Sequence, residues 1–195
     1  MERKDKSALG RPRTIDRDKV LDAAEAVVAE TGAAGLTIDA VAKAAGITKG
    51  GVQYCFGTKE GLLTAMLDRW CETFDRDIAT LQGEDRSPFA HVRAYIEAGR
   101  QSDEEEGSRS AVMLATLLQN SDQLAASRIW YREQLKGVDP TTEEGRNARL
   151  AFIASEGVFF LRSFRLLDLS DEEWRSVYDD ILGLLPGNQG KSISE

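Results

Sequence analysis

The sequence predicts an all-α fold, and three observations carry that reading. Ala, Leu, Glu and Arg are abundant, only four prolines interrupt 195 residues, and no run of β-branched residues alternates with polar ones. Apolar residues recur instead at three- and four-residue spacing. Ser, Thr or Asp, the residues that cap helix N-termini, stand ahead of most of these apolar runs. With 42% hydrophobic residues the chain has material for a real core, which excludes global disorder. Its length suits one large domain or two small ones.

From Arg17 to Thr31, Val20, Leu21, Ala24, Val27 and Val28 form one helical stripe; Gly32 supplies the stop, and Asp16 or Thr14 the cap. Leu36-Thr37 opens a short helix, with Thr37 as cap and Leu36 and Val41 placed to staple its first turn. Gly46 ends it. Ile47-Thr48 repeats the device, with Thr48 as cap and Ile47 paired to Val52. Two short helices joined by a glycine turn make a helix-turn-helix. Thr58 caps a third start, and a longer helix through Leu62, Leu63, Met66, Leu67 and Trp70 runs to about Leu81.

A polar linker, 82–87, leads to Pro88 and a helix carrying Phe89, Val92, Tyr95 and Ile96. An acidic loop follows from Ser102 to Ser108, then helices around Val112–Leu118 and Leu124–Leu135. After the Gly137–Pro140 break, Thr141 and Glu144 read as a capping box for a long helix reaching Leu167. Ser170 and Glu173 read as another, for a final helix with Trp174, Val177, Tyr178, Ile181 and Leu185. This gives a flexible basic arm (1–13), a helix-turn-helix domain (14–60) and a helical remainder (61–195).

The net charge of −8 hides an asymmetry. Residues 1–60 hold ten Lys/Arg against nine Asp/Glu, leaving fifteen against twenty-four for the rest. A small polyanion-binding module on an acidic body fits, since local charge decides contact with phosphate; an acidic protein with a solvated tail is the plainer alternative. No apolar run is long enough to span a membrane, and the N-terminus is not signal-like, so a cytoplasmic protein without a membrane partner is expected. Two cysteines and one histidine leave little for a disulfide framework or a metal site. Cys55 and Cys71 read as small core residues, and His91 as structural. No catalytic constellation, phosphate loop or cofactor motif is present, so neither an enzyme nor a cofactor is expected.

Val20-Leu21-Asp22-Ala23-Ala24, Gly32, Leu36-Thr37, Val41-Ala42, Ala45-Gly46-Ile47-Thr48-Lys49-Gly50 and Tyr54-Cys55-Phe56, followed by Lys59-Glu60-Gly61-Leu62-Leu63, stand in order over about fifty residues. In these residues the stretch from 16 to 67 resembles the DNA-binding region of the TetR family of transcriptional regulators. The chain departs from the commonest pattern at Gln53, Cys55 and Gly57, the stretch on which any carry-over of specific base contacts depends. Thr48 to Phe56 is then the recognition helix: it follows the turn, and Thr48, Lys49, Gly50 and Gly51 can bring backbone N–H groups near phosphate or base edges. A locally weak helix tolerated by packing is the other reading of the glycine pair. Gln53 is a candidate for reading adenine. Tyr54 and Lys59 match the family's phosphate contacts, and Thr37 caps its helix with or without touching phosphate. Arg11 and Arg13 suit a narrow minor groove, or simply form a solvated tail.

The long helix near the C-terminus is apolar around much of its circumference, so a second buried contact is implied. The resemblance implies a homodimer through a four-helix bundle of the last two helices of each chain, here with Phe152, Phe159, Phe160, Val177, Ile181 and Leu184. Tyr95, Met113, Leu117, Trp130 and Tyr131 are candidates to line a ligand cavity, or are ordinary core. The implied function is a repressor on double-stranded DNA with a near-palindromic operator, released by a small-molecule effector. A constitutive adaptor that recruits a protein partner is the alternative.

Overall fold

The computed structural model describes residues 15–102 and 121–187. Arg11, Arg13, Met113, Leu117, the basic arm, the acidic loop beyond Ser102 and the helix expected around Val112–Leu118 lie outside the described residues. Within them, helices form the regular structure: α1 (Arg17–Gly35), α2 (Ile38–Ala44), α3 (Lys49–Phe56), α4 (Lys59–Gln82), α5 (Pro88–Gln101), α6 (Ser121–Gln134), α7 (Glu143–Ser163) and α8 (Asp171–Gly183).

The capping residues act as the sequence predicts. Asp16 accepts from the Asp18 and Lys19 amides, and the hydroxyls of Thr37, Thr48 and Thr58 accept from the amides of Ala40, Gly51 and Gly61 at 3.1 Å. Ser170 and Glu173 form a complete capping box. Such caps are each worth about 1 kcal/mol. Gly32 breaks the ladder of α1 with φ 71° and ψ 175°, after which one further turn completes the helix.

Two expectations are corrected. Thr142, not Thr141, caps α7: Asp139 engages both the amide and the hydroxyl of Thr141 (2.9 and 2.7 Å), which delays the helix by one residue. The same helix ends at Ser163 rather than Leu167. There Arg165 adopts φ 51°, and the Leu166 amide donates to the Leu161 carbonyl at 2.8 Å, a left-handed stop. Glycine usually takes that position, so nothing local in the sequence announces it.

The side chains pack into two cores. The first joins α1, α2 and α3 with Leu62, Leu63, Met66 and Leu67 from the first half of α4. The second joins Phe74 and Ile78 of α4 with the inner faces of α5, α7 and α8. Trp70 packs against both. The packing therefore divides within α4, beyond the expected boundary at residue 60. Leu62 and Met66 are wholly buried, and burial of such a side chain is worth roughly 1.5–3 kcal/mol, so the first core depends on α4.

Candidate functional site

The α2–α3 corner is set by Gly46 at φ 65°, where the chain needs a left-handed residue, and by the Ile47 amide donating to the Ala42 carbonyl at 3.0 Å. Val52 and Phe56 then anchor α3 in the first core. That register turns Lys49, Gly50, Gln53 and Tyr54 together to the outside, with Thr48 exposed at the helix start. Tyr54 is 87% exposed, an unusual place for an aromatic ring in a packed domain. Lys49 pairs with Asp39 of α2 at 2.8 Å, both well exposed, and such a pair is worth at most about 1 kcal/mol. Lys49 can therefore exchange Asp39 for a phosphate at little cost. Thr37 is exposed at the start of α2, and Lys59 is half-buried in the first turn of α4.

The glycine pair splits. Gly50 faces open space, whereas Gly51 is buried: a Cβ there would lie 3.0 Å from Ile15 Cδ1 and 3.4 Å from Ile47 Cδ1. Gly51 thus fits the packing reading of the pair, and its amide donates to the Thr48 hydroxyl at 3.1 Å.

Two arginines support this face and escaped the sequence reading. Arg17 donates to the Cys55 carbonyl at 2.6 Å and lies 4.6 Å from the centre of the Phe56 ring, holding the end of α3. Arg69 on α4 reaches Asp22 at 2.7 Å and Glu25 at 2.6 Å, clamping α4 to α1. Their partners lie 38 and 47 residues away, so no local pattern reveals them.

In the second core, Tyr95 and Tyr131 donate to the two carboxylate oxygens of Glu156, at 2.6 and 2.8 Å. These groups line a cavity of about 30 Å³ with Trp70, Phe74 and Phe159. Trp130 sits 5.1 Å from Tyr131, ring centre to ring centre, and its indole N–H donates to Asp75. Burial pushes the Glu156 carboxyl above its ordinary range, while the two tyrosine hydroxyls pull it back. Glu156 was missed because it lies in an apolar stretch of α7; a lone charge four residues after Phe152 was the available signal.

A carboxyl raised in the folded state favours folding below about pH 4.5, its unfolded value, and loses that contribution as pH rises through the folded value. Glu156→Gln removes the charge and keeps one carbonyl acceptor, while its NH2 group faces the other tyrosine hydroxyl as a donor. We expect its melting temperature, relative to wild type, to increase with pH from 4 to 8; a pH-independent difference in thermal melts would refute the buried-charge account.

Cys55 and Cys71 are free and half-buried, and the Cys71 thiol is pushed up to about 12 by burial and by Asp75, Asp68 and Glu72. His91 bridges Gln82 (3.2 Å) and Gln134 (2.9 Å), a structural tie. Among the described residues no group of His, Cys, Asp or Glu is arranged to hold a metal ion, and no helix is long and apolar enough to cross a membrane.

The expected dimer residues are largely absorbed by the subunit itself. Phe152 and Ile181 are buried in the second core, Phe159 lines the cavity, Phe160 packs on the first core, and Val177 is half-buried against the second. Only Leu184 is exposed, at 41%. The outer stripe of α7 consists instead of Leu150, Ile153 and Leu161, continued by Phe164 at its C-cap. An all-round apolar helix does not tell from sequence which face is turned inward.

Two matches to known families coincide with this division. Residues 20–66 match the family described as bacterial regulatory proteins, tetR family, and residues 90–186 match the tetracyclin repressor-like C-terminal domain. The chain is 29% identical over 119 residues to the HTH-type transcriptional regulator BetI 2 of Chromohalobacter salexigens, covering 60% of this chain and 58% of that one. It is 34% identical over 91 residues to BetI of Burkholderia ambifaria, covering 44% of this chain and 45% of that one. The matches thus span about half the length of these curated relatives. Among solved structures, a transcriptional regulator from Rhodococcus sp. Rha1 superposes with a TM-score of 0.66 at 21% identity, over 88% of this chain and 96% of that one. The multidrug binding protein EbrR complexed with ethidium gives 0.61 at 21%, over 85% and 96%. The structural likenesses carry the fold, the two family matches carry the lineage, and the chain belongs to the tetR family of bacterial regulatory proteins.

Proposed function

We propose that this protein is a homodimeric transcriptional repressor that binds a near-palindromic operator through α3 and leaves it when a small molecule occupies the second core. The observation that carries the reading is the outer face of α3, where Tyr54 is 87% exposed beside Gln53, Gly50 and Lys49 at the end of a capped helix. Side chains of this kind, on a helix that follows a tight turn, fit the major groove. Tyr54, Lys59 and Thr37 serve phosphates, Thr48 and Lys49 the groove edge, and Gln53 a base. The acidic remainder of the chain discourages non-specific binding.

Release has a physical route. α4 contributes to both cores, is clamped to α1 by Arg69, and forms one wall of the cavity with Trp70 and Phe74. A cavity of about 30 Å³ has room for only one or two waters, so any larger occupant must displace a wall. A ligand that binds better with α4 displaced shifts the population toward a dimer whose recognition helices no longer match successive grooves.

The test is selection from random duplexes followed by anisotropy titrations at several salt concentrations. Gln53→Ala should relax preference at one base pair in each half-site, costing about 1–3 kcal/mol there, with little change in non-specific affinity. Lys59→Ala should weaken binding to all sequences alike and reduce the salt slope by about one unit per subunit. Failure of the wild type to enrich any motif would reject the reading.

A further inference from the structure

The Tyr95–Glu156–Tyr131 arrangement holds more charge than the fold requires. A carboxylate inside a core is costly unless its charge is compensated, and two neutral hydroxyl donors compensate it only in part. The two hydrogen bonds, 2.6 and 2.8 Å long, use one acceptor site on each oxygen and leave others available. The nearby cations are engaged elsewhere: Arg100 pairs with Glu97 and Asp179, and Arg162 lies 3.9 Å from Asp171. The groups that act electrostatically on neighbouring Cys71 are the acids Asp68, Glu72 and Asp75. Arg100 and Arg162 reach the cavity electrostatically at Tyr178, but neither lines it, and Glu156 is the one charged group among its described lining residues.

Its walls are suited to one class of guest. Trp70 stacks on Phe74 at 5.3 Å between ring centres and stands 6.2 Å from Phe159, while Phe74 meets Tyr95 edge-on at 5.2 Å. Aromatic faces around a carboxylate attract a weakly hydrated cation strongly, and both attractions grow when water is excluded. A neutral guest would leave the carboxylate with only its two hydroxyl donors, and an anion would be repelled. We propose that this cavity binds an organic cation, of the quaternary ammonium or delocalised aromatic type, with its charge against Glu156 and its body between Trp70 and Phe159. The proposal names the class of the small molecule invoked above and so rests on that reading. Entry of such a body must part α4 from α7, since Trp70 and Phe159 stand on those two helices.

Tryptophan fluorescence provides the test, because Trp70 lines the cavity and Trp130 adjoins it. The full-length protein is titrated with phenyltrimethylammonium, its neutral isostere tert-butylbenzene, and the anion 4-tert-butylbenzoate. We expect saturable quenching by the cation, with affinity about tenfold above the neutral isostere, and none by the anion. Glu156→Gln should abolish the preference for the cation. If that variant lacks the helical circular dichroism of the wild type, Phe159→Leu replaces it, and the preference should fall with the lost ring. Equal or tighter binding of the neutral isostere by wild type, absence of saturable cation binding up to millimolar concentration, or a preference unchanged in the folded variant would each overturn the cation site. Adding the selected operator separates the two ideas: cation binding that leaves DNA affinity unaltered would overturn the effector reading and support the cation site.

Discussion

Ile153→Glu combined with Leu161→Glu is expected to convert the protein to a monomer in sedimentation velocity and to lower operator affinity by about 10²–10⁴. Leu150, Ile153 and Leu161 of α7, with Phe164 just past its end, form one stripe and are 55, 57, 37 and 37% exposed. Gly157 lies within that stripe, and a Cβ there would meet nothing within 4 Å, so a partner helix could approach closely. Two-fold symmetry doubles each substitution, placing four carboxylates in an apolar contact at a cost of several kcal/mol each if they stay charged. The loss of DNA affinity follows because two weakly binding half-site contacts are no longer linked. Ile181→Glu is the contrasting variant: Ile181 is only 6% exposed within the subunit's own core, so this change should lower the melting temperature rather than cleanly separate subunits. An unchanged dimer in the double variant would eliminate the α7 stripe as the contact.

Gly61→Ala should be the most damaging single methyl group in the N-terminal half. The added Cβ would fall 2.2 Å from the carbonyl oxygen of Phe56, so α4 must move away from the end of α3. Because the obstacle is backbone, no side chain can swing aside. We expect a loss of about 3 kcal/mol, a fall of roughly 6–12 °C in melting temperature, and weakened DNA binding as α3 shifts. Gly50→Ala isolates the functional part of the argument. Its Cβ would meet only Thr48 Oγ1, at 3.9 Å, and alanine favours the helix by about 1 kcal/mol. That variant should be as stable as wild type or more so, yet bind operator less tightly if the backbone at residue 50 approaches DNA. Normal melting of Gly61→Ala would show that the α3–α4 junction yields more easily than its geometry implies.

The helix starts were legible because capping is local chemistry. Thr37, Thr48, Thr58 and Ser170 each bond an amide three residues ahead, and a reader of the sequence sees both partners at once. The cap of α7 slipped by one residue because Asp139 competes for Thr141, a contest that two adjacent threonines do not reveal. The outward face of α3 followed from Val52 and Phe56 facing inward. The inner and outer faces of α7 did not follow from its sequence, since apolar residues surround that helix and only its neighbours select a side. Glu156, Arg17 and Arg69 were hidden for a related reason. Each meets its partners across tens of residues, and the sequence records the side chains without the meeting.

The two-core character of α4 also bears on how such proteins can be recombined. A chimaera joined at residue 60 would receive Leu62, Leu63, Met66 and Leu67 from a foreign helix, and these four side chains complete the floor beneath α1, α2 and α3. Joined beyond Cys71, it would carry its own floor and Arg69 clamp into the new body, leaving Phe74 and Ile78 to be matched by the host. The transferable unit of this protein therefore ends in the middle of a helix, and a junction chosen at the nearest loop would sever it.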